Sequence, residues 1–185
     1  METKKNIVRA IAGESLARNK YTFFASQAKK EGFEQIAAIF LETADNEKEH
    51  AKRLMKLLKT ETWSSLEKYD FPIVKSTSKN LAAAAAGENY EHTQMYPEFT
   101  KRAKKEGQKE AAKVMTEISE VEERHEKRFL KLKENLDKKM VFKRSKEVLW
   151  KCRNCGCVHR VKEAPKKCPA CAHHQSYYEL FCENY

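Results

Sequence analysis

Glycine and proline are scarce, with five and four in 185 residues. All-β sandwiches and barrels need turn residues every 8–12 positions or so, so this shortage excludes them and favours long uninterrupted helices. No apolar run approaches the ~18 residues of a membrane span. The charged opening Met1-Glu2-Thr3-Lys4-Lys5-Asn6 does not resemble a secretory leader, so no membrane role is expected. Cysteine is absent from the first 151 residues. All six cysteines lie in the last 34 residues, four of them as two C-x-x-C pairs. That placement suits thiolate metal ligands in a reducing compartment better than a disulfide framework, and the expected location is cytoplasmic. Aromatic platforms between the basic residues are also lacking. Lys+Arg total 37 against 27 Asp+Glu, a formal charge of +10. The basic residues are nevertheless interleaved with glutamate, as in Lys101-Arg102-Ala103-Lys104-Lys105-Glu106. Such a run reads as solvated helix surface, and no nucleic-acid partner is expected.

What the chain does have is helical periodicity. A first helix is predicted from about Lys4 to Lys30, with an inward stripe of Ile7, Ile11, Glu14, Ala17, Tyr21, Phe24 and Ala28. Gly32 ends it as a C-terminal glycine does. A second helix, from about Glu34 to Lys59, steps through Ile36, Phe40, Thr43, Glu47, His50, Leu54 and Leu57. A third runs from about Lys79 to Lys105, and Gly107 marks the next turn. A fourth, from about Lys109 to Lys138, follows Ala111, Met115, Ile118, Glu122, His125, Phe129, Leu132 and Leu136. Two short glycine turns make helices one and two, and three and four, antiparallel neighbours. The 19 residues from Thr60 to Ser78 reach roughly 60 Å when extended, whereas a helix of about 26 residues is only about 39 Å long. The connection therefore crosses the whole bundle. The fold expected is mainly α, a four-helix ferritin-like bundle with one long crossover.

The halves repeat. Lys29-Lys30-Glu31-Gly32 matches Lys104-Lys105-Glu106-Gly107 at an offset of 75, and at that offset Tyr21 meets Tyr96, Glu47 meets Glu122, and His50 meets His125. Earlier, Ala12-Gly13-Glu14 matches Ala86-Gly87-Glu88 at 74. One extra residue has entered the third helix between Glu88 and Tyr96, and such an insertion is usually absorbed as a π-bulge. Pro97 helps to open that turn. Glu91 lies in this interval where the first half has Ala17, so the repeat is symmetric except for one added carboxylate. The inward acids and imidazoles are Glu14, Glu47, His50, Glu88, Glu91, Glu122 and His125. One Glu from each of two helices plus Glu-x-x-His from each of the other two is the ligand pattern of a dinuclear carboxylate site. Carboxylates bridge two divalent ions and balance their charge, and each imidazole is a neutral terminal ligand suited to iron.

From Glu147 the pattern changes, giving a bundle domain over 1–146 and a small β-rich domain over 147–185. The pairs Cys152-x-x-Cys155 and Cys168-x-x-Cys171 are 12 residues apart and predict a tetrahedral four-thiolate site. Iron makes it an electron carrier and zinc a structural ribbon; spacing does not separate them. Trp150, Tyr177, Tyr178 and Phe181 are available to cover the metal. Cys157 and Cys182 fall outside the pattern as ordinary thiols, and His159, His173 and His174 are expected at the surface.

Glu14 with Tyr21, Glu47-x-x-His50, Glu88-x-x-Glu91, Glu122-x-x-His125 and Cys152-x-x-Cys155-Gly156 with Cys168-Pro169-x-Cys171 together resemble a rubrerythrin, over essentially the entire chain. The resemblance implies a di-iron bundle joined to a rubredoxin-like FeS4 domain, a cytoplasmic enzyme reducing hydrogen peroxide to water in oxidative-stress defence. It implies that Glu47 and Glu122 bridge the irons, that Glu14 and Glu91 serve one iron, and that Glu88 and His125 serve the other. Glu91 and His50 are expected to exchange as ligands with redox state, and Tyr21 and Tyr96 to hydrogen-bond ligand carboxylates or peroxide. The implied partners are an NAD(P)H-dependent reductase or rubredoxin and a second copy of the chain, as a homodimer or larger homo-oligomer. Zinc is the substitute metal at the cysteines. The alternatives are a ferroxidase that consumes O2 and a non-enzymatic bundle with a zinc ribbon. The chain departs from stand-alone rubredoxins in having Ala172, not glycine, after the second pair, and in a short loop between the pairs.

Overall fold

A computed structural model describes residues 2–58 and 73–183 of the chain. Five α-helices are described: α1 (Glu2–Lys30), α2 (Glu34–Leu58), α3 (Thr77–Tyr90), α4 (Tyr96–Lys105) and α5 (Lys109–Asp137). The expected third helix is α3 and α4 joined without a break by one stretch of π-helix, Glu91–Met95. The insertion read from the repeat is thus absorbed where the two offsets meet. Helix α3 begins at Thr77, so Thr77 and Ser78 belong to the helix and not to the connection. Lys59 and most of the expected crossover lie outside the described residues.

Helices α1 and α2 pack as one hairpin, and α3, the π segment and α4 pack on α5 as the other. Both hairpins turn at a glycine with positive φ, +80° at Gly32 and +70° at Gly107, where a side chain would be strained. Phe33 N–H then donates to the Ala28 carbonyl and Gln108 N–H to the Ala103 carbonyl, each at 2.9 Å.

Each hairpin also caps the other. The Glu106 carboxylate accepts from the Glu2 and Thr3 backbone N–H groups, both at 3.0 Å, and Glu31 accepts from Thr77 N–H at 3.0 and 3.1 Å. Glu31 and Glu106 are repeat partners, as are Thr3 and Thr77. Four N–H groups at a helix start have no partner within the helix, and a carboxylate there also suits the helix dipole.

The core has two apolar layers. One holds Tyr21, Phe24, Ile36, Phe40, Leu81 and Phe129; the other holds Ile7, Leu54, Tyr96, Phe99, Met115 and Ile118. Between them lie the buried carboxylates Glu14, Glu47, Glu88 and Glu122. The layers keep those side chains out of water.

Beyond α5, β1 (Lys143–Cys152), β2 (Val158–Glu163) and β3 (Tyr178–Leu180) form an antiparallel sheet in the order β2-β1-β3. Strand β1 begins at Lys143, so the change of pattern expected at Glu147 falls within this strand. The sheet domain rests on the end of the bundle where α1 turns into α2. Phe142 stacks on Phe33 with ring centroids 6.2 Å apart, and the turn Gln175–Tyr177 packs on α2. No described helix is long and apolar enough to cross a membrane.

Candidate metal centre

Period alone brings Glu47 and His50, and Glu122 and His125, onto the inner faces of α2 and α5, since residues three apart share a helix face. The tertiary fold then joins them. Donor atoms of Glu14, Glu47, His50 and Glu122 all lie within 4.8 Å of one another, and so do those of Glu47, Glu88, Glu122 and His125. Glu47 and Glu122 belong to both groups. His50 Nδ1 lies 2.9 Å from Glu47, 3.0 Å from Glu122 and 3.8 Å from Glu14. His125 Nδ1 lies 2.8 Å from Glu122, 3.3 Å from Glu47 and 3.8 Å from Glu88. The two ring centroids are 6.2 Å apart. One half of the site is nearly the image of the other.

The outer oxygens are held by tyrosines. Tyr21 donates to Glu88 Oε1 and Tyr96 to Glu14 Oε1, each reaching from one hairpin to the other. The inward atoms, by contrast, have no hydrogen-bond partner: Glu14 Oε2, both oxygens of Glu47 and of Glu122, Glu88 Oε2, His50 Nδ1 and His125 Nδ1. They are close, yet they point past one another. A buried polar atom without a partner costs about 1–3 kcal/mol, so such a set is explained by cations at the point where they converge.

Glu91, on the π segment, is in neither group of four. It is half-buried, and burial together with Glu14, Glu88, Glu122 and Glu47 pushes its carboxyl well above the ordinary range. It therefore stands against the cluster, outside both groups of four.

In the sheet domain, Cys152 and Cys171 sulfurs are 3.8 Å apart and Cys155 and Cys168 sulfurs 3.6 Å. A tetrahedral metal with bonds of about 2.3 Å requires sulfur separations of about 3.8 Å. Gly156 N–H donates to the Cys152 carbonyl and Ala172 N–H to the Cys168 carbonyl, both at 2.8 Å, and both residues have positive φ, +79° and +60°. Ala172 thus takes the backbone conformation of a glycine. Trp150, Tyr177 and Tyr178 pack around the cysteines as expected; Phe142 joins them, whereas Phe181 does not. His159 and His173 are half-buried, and His174 is exposed. His159 Nε2 lies 3.3 Å from the Cys157 sulfur, and His173 Nδ1 lies 3.1 Å from the Cys171 carbonyl.

The rubrerythrin family model matches residues 5–133, and the model of the rubrerythrin rubredoxin-like domain matches residues 150–179. The chain belongs to the rubrerythrin family. It is 51% identical to a rubrerythrin of Porphyromonas gingivalis over 100% of this chain and 92% of that one. It is 49% identical to a rubrerythrin of Nitratidesulfovibrio vulgaris over 99% and 96% of the two. A structure of the mixed-valence state of nigerythrin is 34% identical and superposes with a TM-score of 0.66 over 97% of this chain and 86% of that one. Bacterioferritin from Mycobacterium tuberculosis, at 18% identity and a TM-score of 0.66 over 74% and 87% of the two chains, shares the bundle fold.

Family membership makes the Glu/His cluster a di-iron site and the four cysteines a rubredoxin-type iron site, and both donor sets fit. The electrostatics of the cluster agree. Burial pushes Glu14 up to about 8 and Glu88 up to about 7. Burial works against protonation of His125, but Glu122, Glu47 and Glu88 outweigh it and raise the imidazole to about 11; His50 is raised in the same way. Burial also opposes ionisation of Glu47, and His125 and His50 overcome it. Without metal, the histidines serve as the missing cations.

Sequence reasoning missed one partner of the cluster and an ion pair that follows Glu91 on the π segment. Asn46 Oδ1 meets His125 Nε2 at 3.2 Å. His92, beside Glu91, meets Glu126 at 2.6 Å, and Asn89 donates to the same carboxylate at 3.0 Å. Polar residues on an outward helix face look alike in sequence, and only the neighbouring helix distinguishes these.

Proposed function

We propose that this family member is a cytoplasmic peroxidase that reduces hydrogen peroxide to two waters, taking up two electrons and two protons. The metals would be held by Glu14, His50, Glu88 and His125 at the ends and by Glu47 and Glu122 between them, with Glu91 as the ligand that exchanges with His50. Two ferrous ions held there would supply both electrons for two-electron cleavage of the O–O bond. The chain's residues supply the surroundings. Tyr21 and Tyr96, both buried, hold Glu88 and Glu14 from behind. Burial first, and then the nearby carboxylates, push both phenols well above their ordinary value, so they remain hydrogen-bond donors. The two apolar layers keep water from the bridging carboxylates.

Electrons would return through Cys152, Cys155, Cys168 and Cys171 from an NAD(P)H-dependent reductase or a rubredoxin. Cys155 is exposed, whereas Cys152 and Cys168 are buried, so the site has one edge open to a partner. A homodimer, in which one subunit's cysteines feed the other's cluster, fits this reading. The observation that carries the proposal is the convergence of unpaired donor atoms from four helices on two points sharing Glu47 and Glu122.

Anaerobically reduced protein should be reoxidised by about 1.5 equivalents of hydrogen peroxide per chain, one for the two electrons of the bundle site and half for the single electron of the cysteine site, much faster than by O2, followed by stopped-flow absorbance. Failure of peroxide to reoxidise it would sink the proposal. Faster reaction with O2 would point to the ferroxidase alternative.

A further inference from the structure

The repeat makes the cluster nearly symmetric, so places where the symmetry fails are informative. Caps, hairpin turns and tyrosine contacts all have a counterpart in the other half. The outer nitrogens of the two imidazoles do not. His125 Nε2 donates to Asn46 Oδ1 from α2, which leaves Nδ1 free to face Glu47, Glu88 and Glu122. At the offset of 75, the residue corresponding to Asn46 is Val121, which has no acceptor. Among the described residues, His50 Nε2 has no hydrogen-bond partner. The His50 side chain is also the more exposed, at 14% against 6% for His125.

A ligand histidine whose second nitrogen is hydrogen-bonded is fixed in tautomer and ring orientation; one without that bond keeps its rotational freedom. We propose that Asn46 is the positioning residue that fixes His125 at the second metal position, and that Val121 at the equivalent position leaves His50 the ring free to move. The exchange of His50 with Glu91 then needs two asymmetries: the inserted carboxylate on the π segment and the missing acceptor on α5. The inference rests on the dinuclear reading of the cluster.

Two readouts test it on the full chain. The first uses metal-free, 15N-labelled protein. The His125 ring Nε2–H should be protected from exchange and visible, and the His50 signal absent. Asn46→Val should remove the His125 signal, and Asn46→Asp, which keeps an acceptor oxygen, should retain it. Val121→Asn should give His50 a protected ring N–H. The second uses cobalt(II) titration after the four cysteines have been filled with zinc. Asn46→Val should weaken one of the two bundle steps about 10–100-fold, the usual effect of losing such a partner, and Asn46→Asp should restore it. Unchanged binding and an unchanged ring signal in Asn46→Val would overturn the role of Asn46. Equal damage from Asn46→Asp and Asn46→Val would show a merely structural role and also overturn it. If Val121→Asn gives no new ring signal, the explanation for His50 falls. If wild-type bundle takes up no cobalt, the dinuclear reading fails instead, while the metal-free ring signals still decide whether Asn46 fixes His125.

Discussion

A carboxylate taken out of water is expensive unless something balances it, and Glu14, Glu47, Glu88 and Glu122 are all almost completely buried. In the metal-free protein the balance is made with protons. Glu14 and Glu88 are raised from 4.5 to about 8 and about 7, and His125 from 6.5 to about 11. The folded protein therefore binds more protons than the unfolded chain, and stability falls as pH rises. The carboxyls lose their share from about 4.5 up to their folded values, and the imidazoles lose theirs from about 6.5 upward. Glu47 shifts the opposite way, but its contribution is complete above its ordinary value and does not change in this window. Metal-free protein should thus melt lower at pH 9 than at pH 6, by about 2–4 °C for each kcal/mol lost, with zinc loading removing most of the difference in a circular dichroism melt. A midpoint that rises toward pH 9 would contradict this. Ala172 makes a second prediction. Its φ of +60° costs an L-residue roughly 1–2 kcal/mol, and glycine returns part of that gain as unfolded-chain entropy, about 0.4–1 kcal/mol. Ala172→Gly should stabilise the zinc-loaded sheet domain by about 0.5–1 kcal/mol in denaturant unfolding.

Helices carry the next level of organisation, and here the sequence was unusually informative. A change of offset from 74 to 75 located the π segment, because an extra residue in a paired helix must go somewhere between two matched stretches. Deleting Glu91 should let α3 and α4 join as regular α-helix in register with α1. Helix content should be unchanged and the melting temperature equal or higher. Iron stoichiometry should hold at two per bundle while His50 remains a ligand in both redox states, readable by comparing Mössbauer spectra of oxidised and reduced protein. A bundle that fails to fold would show that the π segment is structural rather than functional. The reciprocal caps were not legible in the same way. Glu31 and Glu106 each follow a pair of lysines at a turn and look like ordinary solvated charge; their acceptor role depends on N-termini 46 and about 104 residues away.

The molecule as a whole couples a buried carboxylate cluster to a four-cysteine site docked at one end of its bundle. If the cysteines only deliver electrons, Cys168→Ser should slow reductase-driven turnover by more than about tenfold, equivalent to about 1.4 kcal/mol of barrier. Chemically reduced bundle should still be reoxidised by peroxide at close to the wild-type rate. Loss of both activities together would mean that the sheet domain shapes the cluster itself. Residue types, their three- and four-residue spacing, the internal repeat and the paired C-x-x-C motifs were sufficient to determine the helices, the bundle, the candidate ligands of both sites and the inserted Glu91. Those features are local or repeat in register, so a single chain displays them. Only the tertiary structure decided that these side chains from four helices converge in two groups sharing Glu47 and Glu122, that Glu91 stands outside both groups, and that Asn46 meets the outer nitrogen of His125. Each of these depends on which side chains from different helices meet in a buried layer, and packing across helices leaves no period in the sequence.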